Sequence, residues 1–349
     1  RSSDLANCQK EESNALIARA NLERYTVQPM VAFVSPAVEA IKNRAEEGQA
    51  YLDFPVNQTK IYPDYRRNPS ELEKIKATVD VVKNDANTQI TEIDITGYAS
   101  PEGRYASNAR LAQGRAEALK KYVMDSYGFK SDLFRVNSVA EDWAGLRDYV
   151  AKSNLPRKDE ILFIIDKDEN DFDFKEGRIK ALDGGKIYAS LLQDCYPGLR
   201  HSDYTVRYVV RGFNVEEAKQ IIKTRPQQLS LQEMYLVAQT YAKGSKEFNE
   251  VFDVAVRMFP DDPTANINAA AIELQRGDLQ QAARYLDKAD AQASATLNNR
   301  GVLNLLQGDL DQAETNFKKA QSLGSSEAGA NLEEVAKKRK DNAIFGNKK

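Results

Sequence analysis

The sequence predicts an α+β protein: a βαβαβ sheet-and-helix domain followed by an all-α domain of helical repeats. Three observations predict it. Apolar residues in residues 50–140 switch between strand and helix spacing, in the order strand, helix, strand, helix, strand. From about residue 228 the composition becomes almost wholly helix-forming. Within that stretch one motif recurs at a fixed shift of 31 residues. The boundaries that follow are 1–48 for an N-terminal helical segment and an added strand, 49–215 for the sheet-and-helix domain, and 216–349 for the repeats.

Residues 1–24 are polar and helix-friendly, with Leu5, Leu16, Ile17, Ala20 and Leu22 as the apolar members. Tyr25–Val34 reads as a strand through Val27, Val31, Phe33 and Val34, and is a candidate for the sheet edge. Val38–Glu47 reads as a short helix closed by Gly48. Tyr51–Val56 is the next strand. Ser70 is placed to cap a helix, with Glu71 and Glu73 near its positive end and Leu72, Ile75, Val79 and Val82 on one face. Ile90–Thr96 alternates as a strand, Ile93 and Ile95 opposing Glu92 and Asp94. A Gly-rich loop follows, then a helix carrying Leu111, Ala118, Leu119 and Tyr122, and a strand at Phe134–Val139. Residues 141–200 are less regular. Ile161–Ile165 fits a strand or a buried helix, Asp166–Asp173 is an acidic loop without calcium-loop spacing, and Tyr204–Val210 alternates as a final strand.

In the repeats, Gly277-Asp278-Leu279-x-Gln281-Ala282 recurs as Gly308-Asp309-Leu310-x-Gln312-Ala313, and the same shift takes Leu286 to Phe317 and Ala289 to Ala320. Glycine permits the turn and small residues let helices approach. The pattern resembles tetratricopeptide repeats, with a degenerate unit at Leu229–Pro260, a closing helix at Leu332–Lys338 and a frayed tail from Arg339. Concave repeat surfaces serve protein contacts, so the expected partner of this part is a protein, not identified by the sequence.

Composition narrows the function classes. A net charge of −3 argues against non-specific nucleic-acid binding, which needs a basic footprint. With one histidine, His201, and two cysteines, Cys8 and Cys195, a structural zinc site is not expected, and no cofactor is indicated. The two cysteines permit a disulfide if the protein is exported. No apolar run reaches the ~18–20 residues needed to span a bilayer. Leu5-Ala6-Asn7-Cys8 has the look of a lipoprotein cleavage site, which leaves a lipid anchor open.

The functional motif is Ile95-Thr96-Gly97-Tyr98-Ala99-Ser100-Pro101-Glu102-Gly103, followed by Asn108-x-x-Leu111-x-x-x-Arg115-Ala116. It resembles the outer-membrane-protein-A-like family, in the loop variant of its Bacteroidetes members; Tyr51-Leu52-Asp53-Phe54 is similar to that family's first strand. The resemblance covers residues 50–140 well and 141–215 weakly. It implies a non-catalytic domain that binds peptidoglycan through the diaminopimelate-type stem peptide, in the periplasm at the outer membrane or cell wall. In the family a loop aspartate holds the ligand's ammonium and an arginine its carboxylate. The arginine matches Arg115. The aspartate position holds Ser100, which carries no counter-charge, and Glu102 is the nearby acid that can reach the same space. Asn108 is either a ligand contact or a bridge from loop to helix. The site expected is therefore Arg115, Glu102, Ser100 and Asn108. Two other readings stay open: a scaffold for outer-membrane or surface-structure assembly whose domain has lost peptidoglycan binding, and a hydrolase using Glu141 and Asp142 beside Trp143.

Overall fold

The computed structural model describes residues 23–55, 57–167 and 171–346; the expectations for residues 1–22, Cys8 included, lie outside them. The chain is mixed α/β and divides into two compact units. Among the described residues, one comprises Glu39–Asn214 with Gln228–Ser230; the other comprises residues 23–38, Val215–Gln227 and residues 231–346.

The first unit is built on a four-stranded sheet, ordered β1-β4-β2-β3, from β1 (Lys42–Ala50), β2 (Thr88–Tyr98), β3 (Phe134–Val139) and β4 (Ser202–Val210). β4 runs antiparallel to both β1 and β2, while β2 and β3 are parallel. The helices α1 (Asn68–Lys83) and α2 (Tyr105–Tyr127) form the crossovers. Leu72, Ile75, Val79 and Val82 of α1 and Ala116, Leu119 and Val123 of α2 bury against Ile93, Ile95, Tyr204, Val206 and Tyr208. The other face of the sheet is ionic: Arg207 meets Asp94 at 2.7 Å and Glu92 at 3.6 Å, and Arg135 also pairs with Glu92.

Three expectations for this unit are corrected. β1 occupies the residues read as a helix closed by Gly48. Its inward positions are Lys42, Arg44, Glu46, Gly48 and Ala50, which show no apolar alternation. They are accommodated individually instead. Lys42 lies 4.1 Å from the Phe213 ring centre, Glu46 accepts from the Tyr208 hydroxyl at 3.0 Å, and Arg44 pairs with Glu39 at 2.7 Å. Residues 51–55 are then irregular, not a strand. Ser70 does not cap α1: the helix already starts at Asn68, and the Ser70 hydroxyl donates back to the Arg67 carbonyl.

Residues 141–200, read as less regular, are mostly helical: α3 (Trp143–Lys152), α4 (Lys158–Asp166), α5 (Phe172–Ala181) and α6 (Lys186–Ser190), the last continued by a π turn at Leu191–Cys195. Ile161–Ile165 is thus helix, and it joins a separate small core with Leu146, Val150, Ile179, Leu191 and Tyr196. Burial pushes the Cys195 thiol up to about 12.

The second unit contains α7 (Val215–Thr224), α8 (Leu231–Ala238), α9 (Lys246–Met258), α10 (Pro263–Arg276), α11 (Leu279–Lys288), α12 (Ser294–Gln307), α13 (Leu310–Ser322) and α14 (Ala328–Phe345). The repeated motif is turn chemistry. Gly277 and Gly308 end α10 and α12 at φ 83° and 85°, where a side chain would be strained. Asp278 and Asp309 then cap α11 and α13 by accepting from Gln281 and Gln312 N–H. Ala282 and Ala313 are fully buried. Gly301 lets Phe317 close on α12, since a Cβ there would lie 2.5 Å from the ring. The tail is not frayed at Arg339: α14 reaches Phe345, and Arg339 pairs with Asp311 at 2.7 Å and Glu314 at 2.5 Å. Tyr25–Val34 belongs to this unit. It runs extended but joins no sheet, so it is not an edge strand.

Candidate functional site

Four segments of the mixed α/β unit meet at one end of the sheet: the residues after β1, β2 and β3, and those before β4. Backbone bonds fix this end, with Tyr98 N–H donating to the His201 carbonyl at 2.8 Å and Asp142 N–H to that of Ala99 at 2.9 Å. Gly97 sets its depth, because a Cβ there would sit 2.5 Å from the Ala112 carbonyl oxygen of α2. Gly103 turns the loop at φ 87° and donates to Glu176 at 2.9 Å.

Arg115, on α2, is half-buried with its guanidinium 5.0 Å from the Phe54 ring centre. Its Nε is buried and has no hydrogen-bond partner, and Arg115 makes no ion pair with a described residue. Burial, and after it the charge of Arg200, push its pKa below the usual arginine value. The loop 51–55 that supplies Phe54 is pinned to α1. Asn68 accepts from Asp53 N–H at 2.7 Å and donates to the Asp53 carbonyl at 3.0 Å, while Glu71 accepts from Tyr51 N–H.

Ser100 is buried and accepts from Arg200 Nε at 2.9 Å. Glu102 is half-exposed and pairs with the same guanidinium. Asn108 is a bridge: its amide donates to the Glu102 carbonyl at 3.0 Å and to Glu141 at 2.9 Å, holding the loop on the helix. Of the four expected residues, then, Ser100 and Glu102 converge on Arg200, Arg115 stands beside them unpaired, and Asn108 is engaged within the protein. Arg200 is the residue that sequence reasoning missed. It precedes β4 by two positions and carries no local motif; only strand pairing brings it to the loop. The N-terminus of α2 is also occupied, since Asp173 accepts from Tyr105 N–H at 2.8 Å.

Next to the loop lies a cleft of about 570 Å³ lined by Tyr98, Tyr105, Glu141, Asp142, Trp143 and Phe172. Tyr105 and Phe172 stack at 5.1 Å, and Trp143 lies 6.2 Å from Phe172. The two carboxylates here hold protein donors: Glu141 accepts from Asn108 and Trp143, and Asp142 caps α3 through Gly145 N–H at 2.8 Å. Burial raises the Glu141 pKa against the opposing effect of those two hydrogen bonds. His201 stacks on Tyr98 at 4.3 Å, its Nε2 3.3 Å from Asp203. Within the acidic stretch, Asp166 pairs with Arg147 and Asp171 caps α5. Among the described residues no cluster of His, Cys, Asp and Glu has metal-binding geometry, and no helix is long and apolar enough to cross a membrane.

Chemically, Arg200 is matched by Glu102, whereas Arg115 is not matched by an acid, and its guanidinium suits an incoming anion able to accept two hydrogen bonds. No protein-family profile and no curated protein matches the chain.

Proposed function

We propose that this chain is a non-catalytic envelope protein. Its outer-membrane-protein-A-like unit grips the terminal carboxylate of a diaminopimelate-type peptidoglycan stem peptide, and its tetratricopeptide-like unit engages a protein partner. Such a protein works in the periplasm, at the outer membrane or cell wall. The observation that carries the reading is Arg115, a half-buried cation whose Nε is sequestered without a partner. Burying a charge is costly unless it is paired, so a site of this kind is matched to an anion from outside. Ser100 and Glu102 hold Arg200 beside it as a second cation. Glu102 is half-exposed and is the acid assigned to the ligand's ammonium in this reading, which it would hold in competition with Arg200.

Sacculus pull-down of the wild type and Arg115→Lys tests this. Lysine keeps the charge but loses the paired hydrogen bonds, so retention falls about tenfold or more. Equal retention of the two proteins overturns the assignment of Arg115. The Glu102–Arg200 pair favours one alternative, a scaffold for outer-membrane or surface-structure assembly in which the acid is consumed internally and peptidoglycan is not bound. That reading holds if the wild type is not retained at all.

A further inference from the structure

The extended segment of the helical unit has its main chain read by side chains at every second residue. Gln28 N–H donates to Glu334 at 2.9 Å, Met30 to Asn331 at 2.7 Å, Ala32 to Asn299 at 2.8 Å and Val34 to Asn268 at 2.7 Å. The same asparagines return a bond to the carbonyl of the residue they accept from: Asn331 to Met30 at 2.8 Å, Asn299 to Ala32 at 2.9 Å and Asn268 to Val34 at 2.8 Å. Each carboxamide closes a two-bond ring on one residue, as a neighbouring antiparallel strand does. Asn268 and Asn299 stand in the 31-residue register of the repeat.

The intervening residues supply the anchors. Val27 and Val31 pack on the core that includes Leu274 and Val302, and Phe33 lies 5.3 Å from both Phe248 and Phe252. Pro29, which has no N–H to offer, falls among the positions the ladder does not read. At the other end Asp341 accepts from Tyr25 N–H at 2.8 Å, and the Tyr25 hydroxyl donates to Glu334.

Buried carboxamides cost stability unless every group is bonded, and apolar contacts would suffice to pack a segment already tethered to the chain. A ladder that binds main chain is instead suited to extended peptides whose side chains vary at the read positions. The groove also has unused capacity. A cleft of about 500 Å³ runs beside Val27, Pro29 and Val31, and the Oδ1 of Asn249 on its wall is buried without a donor.

We propose that this groove is an extended-peptide site read through the main chain, that Tyr25–Val34 is its occupant in cis, and that it exchanges this for a segment of the same chemistry in trans. The fitting partner is an extended peptide with free N–H groups at alternate positions and apolar anchors matching Val27, Val31 and Phe33. The inference deepens the partner-binding half of the proposed function and stands apart from the Arg115 site.

The test inserts a protease site at exposed Ala37–Val38, nicks the folded full-length chain, and adds a labelled synthetic peptide of residues 23–36. The nicked chain is expected to hold its own segment through gel filtration and to exchange it for the labelled peptide, saturably. Asn299→Ala weakens capture by roughly tenfold to a hundredfold. Because that variant also lowers the stability of the fold, a peptide N-methylated at the residue 32 nitrogen is the second probe; it loses competition by a similar factor, while N-methylation at residue 31 costs less. Failure of the peptide to exchange overturns the proposal, as does equal competition by the peptide methylated at residue 32. Sacculus retention by the same nicked protein reports separately on the Arg115 site.

Discussion

The groove of the helical unit and the arginine site of the mixed α/β unit both place polar groups out of water, and they resolve the cost in opposite ways. In the groove, Asn268, Asn299 and Asn331 are buried, and each both donates to and accepts from an occupant that the chain itself provides. At the arginine site, Arg115 Nε is buried with nothing to donate to, and the second arginine beside it adds repulsion. A site whose polar groups are matched from within contributes to folding. A site left unmatched draws on folding and returns the difference on binding. The mixed α/β unit carries its own small version of the matched device, the Asn68 clamp on Asp53, and uses it to hold the loop bearing Phe54 over Arg115.

The largest expected effect comes from removing what supports the ladder. Phe317 is fully buried and packs against Gly301 in the helix that carries Asn299. Phe317→Ala is expected to destabilise the chain by about 3–5 kcal/mol, measured by urea unfolding. A cost below ~1 kcal/mol would mean that the close packing behind the groove is not what positions it. In the other unit the equivalent close approach is Gly97, whose added Cβ would meet the backbone of α2. Gly97→Ala is expected to cost about 1–3 kcal/mol and to shift Arg115, lowering sacculus retention as well as stability. Loss of stability with retention intact would separate the arginine site from this contact.

The contrast itself is tested by one substitution in each site. Asn299→Ala leaves the buried N–H and carbonyl of Ala32 unsatisfied and is expected to destabilise the intact chain by about 1–3 kcal/mol. Arg115→Met keeps an apolar stem against Phe54 while removing an unpaired charge, so stability is expected to hold within about 0.5 kcal/mol or to rise, even as ligand retention is lost. Paired unfolding curves decide it. If the arginine variant is the more destabilised of the two, the arginine site is internally matched after all.

The two sites also differ in how far they could be read from sequence. Strand β2, the loop after it and the helix that carries Arg115 were legible because pattern, glycine and helix spacing agree locally over residues 91–116. The 31-residue repeat was legible because Gly277 and Asp278 solve the same turn problem as Gly308 and Asp309. β1 was not, since its inward side chains are mostly polar and are satisfied one at a time, by Phe213, Tyr208 and Glu39, so residues 42–50 carry no apolar period-two signal of their own. Arg200 was not, because a contact between positions 100 and 200 exists only after β4 has paired with β2. The ladder's one trace in the sequence is an asparagine at the same repeat register, Asn268 and Asn299. Tyr25–Val34 was correctly extended but assigned to the sheet, because main-chain pairing by side chains and by a strand leave the same alternation.

The smallest expected effect concerns acid, and it too separates the sites. Burial opposes ionisation of Glu334, but hydrogen bonds from Lys337, Gln28 N–H and the Tyr25 hydroxyl outweigh it and hold the carboxyl below its ordinary range. Lys338, then Tyr25 N–H, do the same for Asp341, with the charge of Arg24 adding to them. Both folded values lie below the unfolded ones. The stability they contribute is therefore complete above the ordinary carboxylate range of about 4 and is lost as pH falls through the folded values. Between pH 6 and pH 3 the grip on the Tyr25 end of the segment should loosen, raising the exchange rate of the labelled peptide in the nicked chain. Glu334→Gln with Asp341→Asn should flatten that dependence, because neither replacement side chain titrates. The arginine of the other site keeps its charge across the same interval, so loosening that persists in the double variant would place the acid-sensitive contact somewhere other than these two carboxylates.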